Sequence, residues 1–72
     1  MDPNIQLLDV VALTVDLEEK ELVRGQVGTV VEILSWGGCE VEFSDDQGRT
    51  YARAALRCDQ LLVLHYQPQL AA

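Results

Sequence analysis

Two glycines three residues apart, Gly25 and Gly28, stand at the head of the β-branched run Val27-Gly28-Thr29-Val30-Val31-Glu32-Ile33. This spacing predicts a sharp turn feeding a strongly bent strand, because a residue without Cβ admits a bulge or the close approach of a neighbouring backbone. Strands that curl this tightly belong to very small β-barrels. A chain of 72 residues holds one domain at most and lies near the lower size limit for a single hydrophobic core. Residues 1–72 therefore read as one domain, with 1–7 and 67–72 as loose ends. Its 49% hydrophobic and 24% charged residues are the balance of a globular chain, not a disordered one.

The remaining strands follow from alternation and turn chemistry. A first strand is expected over Val10 to Leu13, then a polar excursion from Thr14 to Val23 pinned down by Leu17 and Leu22, too short for a helix begun at Asp16 to be stable alone. Ser35-Trp36-Gly37-Gly38 marks a reversal, since its glycines supply the positive φ of a tight hairpin. Cys39-Glu40-Val41-Glu42-Phe43 alternates cleanly and places Cys39, Val41 and Phe43 inward. A four-residue turn at Asp45-Asp46-Gln47-Gly48 sets Ser44 opposite Arg49, Phe43 opposite Thr50, Glu42 opposite Tyr51 and Glu40 opposite Arg53, with Thr50, Ala52, Ala54 and Leu56 inward. Pairing Leu34 with Glu40 puts Val31 and Ile33 inside and Glu32 beside Glu42 outside. Arg57 to Gln60 reads as one helical turn and Leu61 to His65 as a fifth strand. Five short strands, a long first loop and a helical turn before the last strand are the order of an SH3-like barrel, an all-β fold that buries its lining by closure.

Charge narrows the function. Twelve acidic against five basic residues give a net charge of −7, which repels phosphate backbones and favours a basic protein partner. The first residues show no basic region followed by an apolar core, and no apolar run is long enough to span a bilayer, so a cytoplasmic protein without membrane association is expected. Cys39, Cys58 and His65 have no zinc-ligand spacing; neither a metal nor a cofactor is expected. No phosphate loop, dinucleotide fingerprint or nucleophile elbow is present.

Trp36 is the foremost binding candidate, because a lone tryptophan at a glycine-rich hairpin tip either anchors a partner or folds back over Leu34. Glu32, Glu40 and Glu42, with Asp45 and Asp46 at the next turn, form an acidic stripe complementary to a basic surface, or a solvated face balanced by Arg49 and Arg53. As acid and base the carboxylates lack a pocket that would desolvate one of them, and a filled five-stranded barrel offers no cleft. Cys39 reads as a core residue and Cys58, on a polar turn, as the more exposed thiol; a cysteine nucleophile would need His65 as its base. Tyr51 and Tyr66 read as packing residues on the outside.

From Gly25 to Ile33 the pattern G-x-V-G-x-V-V-x-I resembles the KOW motif of ribosomal and transcription-elongation proteins, which implies the same barrel start. Gln26, Thr29 and Glu32 stand where those relatives carry RNA-binding basic residues. A wider resemblance runs through Leu8 to Thr14, Arg24 to Glu32, Glu40 to Phe43, Gly48 to Ala52 and Asp59 to Leu64. There the chain is similar to a family of short, acidic, single-domain bacterial proteins, frequent in cyanobacteria and classified only as a domain of unknown function. The resemblance implies a fold and no catalytic residues. The expected function is a noncatalytic acidic protein-binding module, an antitoxin-like inhibitor or accessory subunit, acting as a monomer or as a homodimer through a barrel edge. The alternative is a KOW-like nucleic-acid-associated module using Arg24, Arg49, Arg53 and Arg57.

Overall fold

The computed structural model describes residues 5–71. They form β1 (Val10–Leu13), β2 (Val27–Ile33), β3 (Cys39–Ser44), β4 (Thr50–Leu56) and β5 (Leu61–Val63), with single 3₁₀ turns at Glu18–Lys20 and Cys58–Gln60. All four strand pairings are antiparallel, in one sheet of order β4-β3-β2-β1-β5. The ladder is open: β4 and β5 are its two edges, and the closure expected from the sequence is not made by strand pairing.

One side of this sheet carries the core. Val11 and Leu13 of β1, Val30 of β2, Cys39, Val41 and Phe43 of β3, Ala54 and Leu56 of β4 and Leu61 of β5 are all buried. Leu17 and Leu22 join them and pair with each other through backbone bonds of 2.8 and 3.1 Å, which ties the long first loop to the core. Ile5 is buried as well, although the first seven residues read as a loose end. Gly28 lies where β2 passes closest to β3: a Cβ there would sit 2.6 Å from Val41 Cγ1 and 2.9 Å from the Glu42 carbonyl.

Both hairpins around β3 use the same device. In each a three-residue loop is closed by a backbone bond of 2.9 Å, Leu34 to Gly38 and Asp45 to Arg49, and ends on a glycine of positive φ, Gly37 at 95° and Gly48 at 79°. The second turn is therefore one residue shorter than expected and sets Ser44 opposite Thr50. An irregularity in β4 at Tyr51 adds a second offset, so Phe43 faces Ala52, Glu42 faces Arg53 and Glu40 faces Ala55. Two offsets of one residue preserve the side-chain parity, which is why Ala54 and Leu56 point inward as expected while Thr50, ahead of the bulge, is exposed.

The first hairpin departs from expectation by an odd number. Gly28 faces Phe43 and Val30 faces Val41, so Val30 rather than Val31 enters the core; beyond a bulge at Val31, Glu32 faces Glu40 and Ile33 faces Cys39. Ile33 thus sits opposite a core residue yet is 49% exposed, because β1 pairs with β2 only at Val27, Gly28 and Thr29 and leaves this end of the strand uncovered. β5 stops at Val63, short of the expected His65.

Candidate functional site

The Trp36 loop and the turn after β4 meet because Cys39 pairs with Leu56, which sets residues 35–38 beside residues 57–59. Between them lies an open cleft of about 220 Å³ lined by Trp36, Gly37, Arg57, Cys58 and Asp59. A filled barrel implied no cleft; the structure has this one, between the hairpin loop and the 3₁₀ turn.

Each wall has a local cause. Trp36 is 58% exposed. The six-membered ring nevertheless lies over buried Gly38, where a Cβ would overlap it and would come within 2.6 Å of the Leu56 carbonyl. The missing Cβ therefore leaves the room that the indole occupies. Opposite, the Cys58–Gln60 turn is locked by Gln60, whose Oε1 accepts from the Arg57 N–H at 2.9 Å while its own N–H donates to the Arg57 carbonyl at 3.0 Å. Cys58 is the more exposed thiol, as expected, but at 9% against 1% for Cys39 it is still buried, and it donates to the Gly37 carbonyl at 3.2 Å. Cys39 lies deeper; burial, and then the neighbouring Cys58, push its thiol pKa up. Within this turn Arg57 Nε reaches Asp59 Oδ1 at 3.0 Å, both side chains well exposed.

The acidic candidates divide between two places. Glu32 and Glu40 are cross-strand neighbours, and Arg53 lies 3.4 Å from Glu40 and 3.9 Å from Glu42, so one guanidinium serves both β3 glutamates. Glu32 has no basic partner among the described residues. Asp45 and Asp46 lie at the far end of β3, roughly 17 Å away at about 3.4 Å per residue. Asp45 is consumed by its own turn: Oδ1 accepts from the Gln47 and Arg49 N–H groups at 2.9 and 3.0 Å, and Oδ2 from Arg49 Nε at 3.2 Å. The Arg49 and then Gln47 backbone donors hold its carboxyl below the usual carboxylate range. Asp46 is exposed beside it. His65 is exposed beyond β5, while the Cys58 thiol is engaged with Gly37. Arg57 and Asp59 were not singled out as a binding pair by the sequence; the register of β3 with β4 is what carries them to Trp36.

Among the described residues there is no cluster of three or more His, Cys, Asp or Glu able to hold a metal, and no helix long and apolar enough to cross a membrane. A family model matches residues 7–63. The chain belongs to the DUF4926 family, a domain of unknown function. The match takes in the whole DUF4926 sheet, from ahead of β1 to the last residue of β5, and with it both walls of the cleft. No curated protein and no solved structure matches the chain.

Proposed function

We propose that this DUF4926 domain is a small noncatalytic protein-binding module of the bacterial cytoplasm that engages a basic partner, as an antitoxin-like inhibitor or an accessory subunit. Its scaffold is read as an SH3-like barrel. The strand order, the long loop between β1 and β2, the bulges that tighten β2 and β4, and the 3₁₀ turn ahead of β5 support that reading.

The observation that carries the functional reading is an exposed tryptophan on the wall of a cleft in a molecule of net charge −7. Aromatic anchors in such positions supply a disproportionate share of binding energy, and surface charge sets how fast and with whom a complex forms. The nucleic-acid reading draws less support. Arg49, Arg53 and Arg57 are each paired with carboxylates, which leaves Lys20 and Arg24 as the basic side chains outside ion pairs among the described residues.

Affinity capture from the native cell, followed by titration of the captured protein, tests this. Trp36→Ala should weaken binding by about 2 kcal/mol or more without unfolding the domain. The Glu40→Lys, Glu42→Lys pair should slow association and flatten its salt dependence. Recovery of nucleic acid, or a partner indifferent to all three substitutions, would overturn the proposal.

A further inference from the structure

We propose that the cleft between Trp36 and Asp59 is the seat of a single arginine side chain presented by the partner, an assignment that rests on the protein-binding reading above. Size comes first. At about 220 Å³ the cleft is smaller than the roughly 300–1,000 Å³ of small-molecule and cofactor sites, and it suits one long side chain.

Chemistry then selects among side chains. Of the five lining residues, Cys58 is engaged with Gly37 and Arg57 is paired with Asp59, while Trp36 brings an aromatic ring, Gly37 a backbone carbonyl and Asp59 a carboxylate. A guanidinium satisfies all three, since its plane stacks on an indole, its N–H fork matches a carboxylate, and its remaining donors can reach a carbonyl. The Gly37 carbonyl accepts one weak bond from Cys58 and keeps a lone pair free. An ammonium is a compact point charge that forfeits the planar match. An anionic side chain would have to approach a molecule of charge −7.

Asp59 already has a guanidinium, that of Arg57. Their side chains are 73% and 66% exposed, so the bond is a solvent-screened surface pair of little net worth and is readily exchanged. Arg57 thus competes with the incoming arginine for Asp59. Removing Arg57 should therefore tighten binding.

The probe is a blocked peptide of glycine and serine with one central arginine, compared with the same peptide carrying citrulline, lysine or glutamate. Trp36 is the only tryptophan, so emission excited at a wavelength that the two tyrosines do not absorb reports the cleft alone. Only the arginine peptide should titrate strongly, with lysine weaker and citrulline and glutamate silent. Asp59→Asn should weaken it by about fivefold, the exchange of a surface ion pair, and Arg57→Gln should tighten it by about twofold. Asp46→Asn, which removes the same charge at the far turn, should leave it unchanged.

Equal response to the citrulline peptide, equal loss from Asp46→Asn and Asp59→Asn, or no fluorescence change with any peptide would overturn the arginine assignment. The two readings fail separately. A captured partner that depends on Trp36 and on Glu40 and Glu42, together with a silent arginine peptide, sinks the assignment and spares the module. A peptide that titrates as stated, while capture from the cell recovers nucleic acid in place of a protein, sinks the module and leaves the cleft's preference for arginine standing.

Discussion

Gly28 shows at the level of one residue how little room the sheet leaves. The nearest atoms to a Cβ at this position are Val41 Cγ1 at 2.6 Å, the Glu42 carbonyl at 2.9 Å and Phe43 Cδ1 at 3.0 Å, two of them on side chains that are fully buried. Gly28→Ala should therefore destabilise the domain by about 1–3 kcal/mol, the usual cost of overpacking, read as a lower urea midpoint at unchanged slope. An unchanged midpoint would mean that β2 and β3 can separate freely. The two thiols make a second test. The folded-state pKa of Cys39 is raised by burial, so its neutral form is favoured, and stability held below the unfolded thiol pKa is lost as pH rises through the folded value. Cys58, which lines the cleft, should be alkylated first, and Cys39 only at more alkaline pH or on unfolding. Simultaneous labelling at neutral pH would contradict this order.

At the level of elements, the Asp45–Arg49 turn has a pH signature. Its carboxyl is held below the usual range, so the stabilisation it gives is present above the unfolded carboxylate pKa and disappears as pH falls through the lowered value. Melting followed from neutral to strongly acid solution should show a loss in that window that Asp45→Asn removes; superimposable profiles would argue that the turn is held by Gly48 alone. On the outer face, Arg53 separates Glu40 from Glu42 while Glu32 faces Glu40 across the strands. Arg53→Ala should cost less than about 1 kcal/mol, an effect that added salt offsets by screening the three glutamates. The same strands mark what a sequence can disclose. Cys39, Val41 and Phe43 announced β3 by alternation, and a period of two kept Ala54 and Leu56 inward through two compensating offsets. An odd offset in β2 exchanged Val31 for Val30, because the length of the Trp36 loop and the bulge at Val31 depend on tertiary packing that no local pattern encodes.

The molecule as a whole places its candidate site at one end of the sheet. Trp36 and the glutamates were legible as chemistry from residue type and spacing, but their arrangement was not. The pairing of Cys39 with Leu56 brings Arg57 and Asp59 to Trp36, and the length of β3 sets Asp45 and Asp46 apart from them. The cleft exists only because two turns from distant parts of the chain stand side by side, a property of topology that composition cannot show. The most direct test is hydrogen exchange of this chain with and without its captured protein partner, read amide by amide. Protection of residues 34–38 together with 57–60, lost in Trp36→Ala, is the expected result. Protection confined to the β4 or β5 edge, or to the Asp45–Asp46 turn, would contradict the placement of the binding site at the Trp36 cleft.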